Sequence, residues 1–331
     1  MSKIKPSKGA PYARILGVGG YRPVRVVPNE VILETIDSSD EWIRSRSGIE
    51  TRHWASDEET VAAMSLEASG KAIANAGISA EQIGGVVVAT VSHFKQTPAV
   101  ATEIADKLGT AKAAAFDISA GCAGFGYGLT LARGMIVDGS AEYVLVIGVE
   151  RLSDLTDLED RATAFLFGDG AGAVVVGPST EPHIGPTVWG SEGDKSDTIK
   201  QTVPWNEYDS SGKFPAITQE GQAVFRWAVF EMAKVAKEAL DAAGITPDDL
   251  DVFIPHQANE RIIDSMVKTL KLPEHVTVAR DVRTTGNTSA ASIPLAMERL
   301  LATGEAKSGD TALVIGFGAG LVYAATVVTL P

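Results

Sequence analysis

The apolar positions of the chain change between two periods. Short runs dense in β-branched residues read as buried strands: Gly85-Val-Val-Val-Ala-Thr90, Val144-Leu-Val-Ile-Gly148, Asp251-Val-Phe-Ile-Pro255 and Ala312-Leu-Val-Ile-Gly316. Helical patterns lie between them. Ala72-Ile-Ala-Asn-Ala-Gly-Ile78 and Ala239-Leu-Asp-Ala-Ala-Gly-Ile245 each end an apolar helical stretch on a glycine suited to a C-cap. Each then passes through an acidic turn into one of the strands. Further helical patterns follow Cys122 (Leu129, Leu131, Ala132, Met135, Ile136) and span Ile293 to Leu301. Strand-length runs alternating with helices predict α/β layers.

The pattern also repeats. Ala72 to Ala239 is 167 residues, and Val144 to Ala312 is 168, so two independent matches share nearly one offset. This predicts a duplicated α/β unit, 1–178 and 179–331, with a site where equivalent positions of the halves meet. The stretch from Gly177 to Gly221, rich in Pro, Ser, Asp and Gly, reads as connecting loop.

Composition narrows the class. The 331 residues are 45% hydrophobic and 21% charged, which excludes wholesale disorder. With 29 Lys and Arg against 42 Asp and Glu, the net charge of −13 argues against a nucleic-acid partner. One cysteine excludes an internal disulfide framework and the usual multi-cysteine zinc sites. The start, with Lys3, Lys5 and Lys8, lacks a secretory apolar region. Thr311 to Pro331 is uncharged and long enough to span a bilayer. Its central glycines and β-branched residues instead predict two buried strands, so no membrane partner and a cytoplasmic protein are expected.

Three glycine-rich stretches resemble phosphate loops. Gly168-Asp-Gly-Ala-Gly172 and Gly316-Phe-Gly-Ala-Gly320 run into strands, and Gly17-Val-Gly-Gly20 precedes Tyr-Arg-Pro. A phosphate loop needs the N-terminus of a following helix, so close backbone packing explains them better.

Cys122 sits in Phe116-Asp-Ile-Ser-Ala-Gly-Cys-Ala-Gly-Phe-Gly-Tyr-Gly128, between a strand and a helix. A helix N-terminus there favours thiolate over thiol, although a lone cysteine is by default an inert buried one. His256 stands directly after a strand of the second half, and Asn287 lies 165 residues after Cys122, at nearly the same place in the repeat. Duplication lets Cys122 and Asn287 face one another across the junction with His256 between them. Taken alone, Asn287 would be a helix cap.

Gly121-Cys-Ala-Gly124, His256-Gln-Ala-Asn259, Gly286-Asn-Thr-Ser289 and the terminal Gly-Phe-Gly-Ala-Gly loop together resemble β-ketoacyl-acyl-carrier-protein synthase III. The likeness covers essentially the whole chain, including Asp40-Glu-Trp-Ile-Arg44 and Phe167-Gly-Asp-Gly-Ala-Gly172. It implies an α/β thiolase-like fold, two halves in a layered αβαβα arrangement, the first carrying the nucleophilic cysteine and the second the His/Asn pair. It further implies an acyltransferase that condenses a short-chain acyl-CoA with malonyl-acyl-carrier protein through an acyl-cysteine, needing no metal or redox cofactor and working as a homodimer.

Residue by residue, the resemblance makes Cys122 the nucleophile and His256 and Asn287 hydrogen-bond donors to the malonyl thioester. Backbone N–H groups of Cys122 and Ala319 form the oxyanion hole, with alanine where many members have glycine. Trp42 matches the aromatic that stacks on the CoA adenine, with Arg46, Arg161 and Arg261 near the nucleotide and pantetheine channel. Taken singly, these are a surface tryptophan and solvated arginines. Arg261, Lys268 and Lys271 fall on one side of a helix and form a basic patch for an acidic carrier protein. Thr97 replaces the phenylalanine of acetyl-preferring members, which leaves room for a longer or branched primer.

A papain-like cysteine hydrolase, a non-enzymatic CoA- or carrier-binding protein, a carrier-independent acyltransferase and a polyketide-starter synthase on the same fold remain as competing readings. The loop from Trp205 to Phe214 has no legible pattern.

Overall fold

The computed structural model describes residues 4–110 and 112–331; Lys3 of the basic start lies outside the described residues. In chain order the strands are β1 (Tyr12–Tyr21), β2 (Arg25–Pro28), β3 (Thr51–Trp54), β4 (Ile83–Ala89), β5 (Ala114–Ile118), β6 (Tyr143–Arg151) and β7 (Asp169–Ser179). They continue as β8 (Val188–Ser191), β9 (Ile199–Gln201), β10 (Ile217–Gln219), β11 (Val252–Pro255), β12 (Thr277–Val278), β13 (Thr311–Gly318) and β14 (Val322–Thr329). The helices are α1 (Asn29–Ile32), α2 (Asp40–Ser47), α3 (Val61–Ala76), α4 (Val100–Leu108), α5 (Gly124–Asp138), α6 (Gly221–Ala243), α7 (Glu260–Leu270), α8 (Val282–Thr285) and α9 (Ser292–Thr303).

Two five-stranded sheets carry the fold, in the orders β1-β7-β6-β4-β5 and β8-β14-β13-β11-β12. The same topology occurs twice. In each sheet the inner strands pair parallel, β4 with β5 and β6, β11 with β12 and β13, and an antiparallel neighbour follows. The repeated helices α3 and α6 both end as expected, on Gly77 at φ 67° and Gly244 at φ 74°.

The strand side chains explain the layers. Val144 and Val146 of β6 point to an inner core with Phe125 and Leu129 of α5, Ile293 and Met297 of α9, and Val252 and Ile254 of β11. Leu145 and Ile147, one residue on, face the opposite side and pack with Met64 and Ile73 of α3 and Ile104 of α4. Phe253, Leu313 and Ile315 do the same for the second sheet against α6 and α7. Helices, sheet, helices, sheet and helices thus stack in the expected αβαβα order. A strand covered on both faces needs apolar residues at every position, which is why these runs are continuous rather than alternating.

One expectation shifts and another is met. The stretch from Gly177 to Gly221 is not simply a connection: β7 extends through Ser179, β8 forms the edge of the second sheet, and β9 pairs with β10. The uncharged C-terminal run is the antiparallel pair β13 and β14, and among the described residues no helix is long and apolar enough to cross a membrane.

Candidate active site

The duplication brings two equivalent corners together. Gly121, at φ 47°, precedes Cys122 in a 3-10 turn, Gly121–Ala123, that leads into α5. Gly286, at φ 68°, precedes Asn287 after α8, and a second 3-10 turn, Ser289–Ala291, leads into α9. Each corner needs the left-handed backbone that glycine adopts without a Cβ penalty. His256 follows β11, and its N–H donates to the Ile315 carbonyl of β13 at 2.7 Å.

Gly121, Cys122, His256 and Asn287 line one cavity of ≈ 370 Å³, together with Ser289, Phe317 and Ala319. Cys122, His256, Asn287 and Ala319, far apart in sequence, are brought together around this cavity. The terminal glycines act by close packing: a Cβ on Gly318 would lie 2.8 Å from the Cys122 sulfur. The Ala319 backbone nitrogen would lie 3.4 Å from a Cβ on Gly121, so the C-terminal turn abuts the cysteine turn.

Hydrogen bonds fix which atoms face the cavity. The Asn287 Oδ1 accepts from the Ser289 N–H at 2.9 Å, so its amide NH2 is the group left for a ligand. Its backbone is pinned on both sides, by Asn287 N–H to the Leu166 carbonyl (2.8 Å) and Gly168 N–H to the Asn287 carbonyl (3.0 Å). The Ser292 hydroxyl lies 2.7 Å from His256 Nδ1 and also accepts from the Gln257 N–H at 3.3 Å. With that donor already on the oxygen, the buried O–H is satisfied by donating to Nδ1, which leaves the proton of a neutral imidazole on Nε2. Phe317 packs edge-on to the ring at 5.4 Å.

Burial sets the charge states. It pushes His256 down to about 3, so the imidazole is neutral at pH 7. It pushes the Cys122 thiol up to about 12, with the Glu150 carboxylate adding to the rise and a hydrogen bond from Ser289 opposing it. This overturns the expectation of a thiolate favoured by the helix end. Loss of water outweighs the partial charge of one helix terminus, and the resting group is a thiol.

None of the expected entry residues lines the cavity, and three of them, Trp42, Arg46 and Arg161, form a cluster of their own. The Arg161 guanidinium lies 4.7 Å from the centre of the Trp42 ring and that of Arg46 lies 5.8 Å away, while Phe165 meets the ring edge-on at 5.5 Å. Trp42 packs on the apolar cluster containing Leu152 and Leu155, which also form cavity wall. Arg261 lies in the first turn of α7 with its guanidinium 5.0 Å from the centre of the Phe225 ring. Lys268 is in the last turn of α7, but Lys271 is the C-cap at φ 52°. Helical spacing therefore does not extend to Lys271, because the chain has already left the helix. Thr97 is exposed and does not line the cavity of its own chain.

Three features escaped the sequence reading. Ser289 and Ser292 look like ordinary helix-start residues. Glu150 left a signal, one acid ending the apolar run Val144 to Val149. The Trp205–Phe214 loop closes on itself as an aromatic cluster: Phe94, Trp205 and Phe214 meet at 5.3–5.6 Å, with Lys213 paired to Asp157 and Glu159.

Comparison with known proteins decides the family. The family models for 3-oxoacyl-[acyl-carrier-protein (ACP)] synthase III match residues 116–193 and, for its C-terminal part, 240–330. The β-ketoacyl-[acyl-carrier-protein] synthase III of Streptomyces glaucescens is 89% identical over 333 residues, with 100% of both chains covered. This chain belongs to the β-ketoacyl-[acyl-carrier-protein] synthase III family. It is an acyl-transferring condensing enzyme of fatty-acid synthesis, on the thiolase-like fold.

A Streptomyces coelicolor member of the family is 86% identical over 343 residues, again covering 100% of both chains. Among solved structures, the priming β-ketosynthase of the R1128 polyketide pathway superposes with a TM-score of 0.97 at 46% identity, covering 100% of this chain and 99% of that one. The Aquifex aeolicus 3-oxoacyl-[acyl-carrier-protein] synthase III gives 0.87 at 38% identity, covering 96% and 99%.

Proposed function

We propose that the cavity joins a short-chain acyl-CoA primer, straight or branched, to malonyl-acyl-carrier protein by a decarboxylating Claisen condensation. The observation that supports this is the meeting of Cys122, His256, Asn287 and Ala319, drawn from both halves, around one cavity. The division at 1–178 and 179–331 belongs to the same reading, one half supplying the nucleophile and the other the donor pair.

Cys122 attacks the primer thioester carbonyl and gives up its proton; the bond to CoA breaks, CoA leaves as the thiol with one proton gained for the one lost, and an acyl-cysteine remains. The N–H groups of Cys122 and Ala319 hold the oxyanion. An alanine at 319 keeps the backbone donor that the hole requires. Malonyl thioester then loses CO2, and charge develops on its oxygen. Nε2–H of His256 and the amide of Asn287 stabilise that enolate, each worth roughly 3 kcal/mol, or about a hundredfold in rate. The enolate carbon attacks acyl-Cys122, expels the thiolate and yields a 3-oxoacyl-carrier product. No step calls on a metal or redox cofactor.

Trp42, Arg46, Arg161 and Arg261 are assigned to the CoA nucleotide and pantetheine, and Arg261, Lys268 and Lys271 to the carrier protein. The enzyme is assigned to the cytoplasm as a homodimer, with Thr97 reaching the primer pocket of the partner subunit. Incubation with radiolabelled isobutyryl-CoA, with and without malonyl-acyl-carrier protein, tests the reading. A label on wild type but not Cys122→Ala, chased into a 3-oxoacyl carrier product, supports it. Label without malonyl-dependent product points to a carrier-independent acyltransferase. A sole preference for acetyl-CoA rejects the role given to Thr97.

The R1128 likeness favours a second setting, a polyketide starter synthase. Its 46% identity is far below the 86–89% shared with the Streptomyces proteins named β-ketoacyl-[acyl-carrier-protein] synthase III.

A further inference from the structure

Arg52 is a fully buried cation that the chemistry above does not use. It stands in β3, and its guanidinium forks to three acceptors. Nη1 donates to the Val27 carbonyl at 3.1 Å, and Nη2 donates to Asn29 Oδ1 at 2.6 Å and to the Phe165 carbonyl at 2.9 Å. All three acceptors are neutral. The path to an acid runs through Asn29, whose amide donates to Asp40 Oδ1 at 2.7 Å. Burial pushes Arg52 down to about 10, so it is still a cation at pH 7. A buried charge held by neutral oxygens is costly, and its retention asks for a reason.

The Phe165 carbonyl supplies one. It opens the buried strip 165–168, and that strip is what pins Asn287. The Leu166 carbonyl accepts the Asn287 N–H, the Gly168 N–H donates to the Asn287 carbonyl, and Phe167 stands opposite Asn287 in a parallel bridge. The Arg52 stem lies against both sides of this join. A Cβ on Gly286 would be 3.0 Å from the Arg52 Cβ, and a Cβ on Gly168 would be 3.3 Å from it. The neighbouring Thr51 hydroxyl donates to the Thr284 carbonyl at 2.8 Å, so β3 also grips the end of α8 ahead of Gly286.

We infer that Arg52 is a positioning residue for the condensation step: by holding the Phe165 carbonyl it fixes the strip that aims the Asn287 amide at the thioester oxygen. The inference rests on Asn287 being a donor to the enolate. The direction of that amide depends on the Asn287 backbone, and the strip bonds to the peptide groups on both sides of it. A turn of the strip therefore turns the donor. The guanidinium is a rigid planar fork, so it holds β2, the start of α1 and the strip in one fixed relation. A lysine ammonium is a point charge and cannot reproduce that relation.

The two half-reactions lean on different supports. The Cys122 turn packs on β13, where a Cβ on Gly316 would lie 2.9 Å from the Cys122 carbonyl oxygen. The bonds of Arg52 run instead to β2, α1 and the strip that carries Asn287. The strip also carries Phe165, whose ring meets Trp42 edge-on, and Asn29 ties Arg52 to Asp40 at the start of the helix bearing Trp42. Disturbance of Arg52 should therefore reach the Asn287 donor and the Trp42 cluster while leaving the nucleophile in place.

The test separates acylation from condensation in single turnover. Enzyme is labelled with saturating isobutyryl-CoA, so that changes at the Trp42 cluster enter KM rather than rate, and is then chased with malonyl-acyl-carrier protein. Arg52→Met keeps the stem and removes the fork. It should condense about tenfold or more slowly, part of the roughly hundredfold that a lost donor costs, while acylation stays within about twofold. Arg52→Lys, with stem and charge but no fork, should show the same split to a smaller degree. Residues acting through one group are not additive, so Arg52→Met added to Asn287→Ala should slow condensation no further. Equal losses in both half-reactions would overturn the inference, as would condensation at wild-type rate or losses that multiply in the double variant. If Arg52→Met does not fold, Arg52→Lys decides by the same ratio; failure of both to fold assigns Arg52 to stability alone and overturns it. Asn287→Ala condensing as fast as wild type would instead overturn the reading of Asn287 on which the inference rests.

Discussion

The Ser292 hydroxyl lies 2.7 Å from Nδ1 of His256, and the same oxygen accepts the Gln257 N–H. That pair fixes the imidazole in the form that donates from Nε2. Ser292→Ala removes the partner and frees the tautomer. Decarboxylation and condensation should slow about tenfold or more, while acylation of Cys122 stays measurable, since loss of a full oxyanion donor costs more than its disorder. Burst and chase of labelled acyl-enzyme separate the two half-reactions. A loss confined to acylation would refute this role.

Gly318 is required by space rather than by φ. A Cβ there would sit 2.8 Å from the Cys122 sulfur and 2.9 Å from its Cβ. Gly318→Ala therefore displaces the nucleophile, and a shift of about 1 Å can cost a hundredfold in rate. The acylation rate should fall by that order with thermal stability changed far less. Unaltered acylation would show that β13 yields instead.

Burial of Glu150 also links the site to stability. Its native carboxyl titrates near 7 against an ordinary 4.5, so between these values the native state holds a proton that the unfolded chain has released. This contribution is fully present below pH 4.5 and is lost as pH rises to about 7. Glu150→Gln cannot titrate. Its melting temperature relative to wild type should rise across that window, by the equivalent of about 3 kcal/mol at most. Asp169, also pushed up to about 6 by burial, is common to both proteins and cancels in the difference. Parallel melting curves from pH 4.5 to 7.5 would remove the linkage.

Docking of an acidic carrier on the start and end of α7 predicts a salt effect. Arg261→Ala and Lys268→Ala should raise KM for malonyl-acyl-carrier protein severalfold and flatten its dependence on ionic strength, because exposed charges act over about 8–10 Å in physiological salt. Lys271→Ala should do less, since it follows the helix in a left-handed turn. Equal effects of all three at high salt would argue against electrostatic docking.

The sequence by itself determined the layered fold and its duplication. Val144 to Val149 and Ala312 to Ile315 are apolar at every position because both faces are covered, and that requirement is written locally. Gly77 and Gly244 likewise marked helix ends through their own φ. Cys122, His256 and Asn287 were legible because each sits where a strand or helix ends and because the offset between halves paired two of them. The tertiary structure decided the electrostatics. Whether Cys122 rests as thiol or thiolate depends on the water excluded by β13 and the turn before α9, which lie far from it along the chain. The places of Glu150, Ser289 and Ser292 were likewise decided by packing between the halves. A hydroxyl has no periodicity to betray its partner, and hydrogen-bond geometry exists only once both halves are folded.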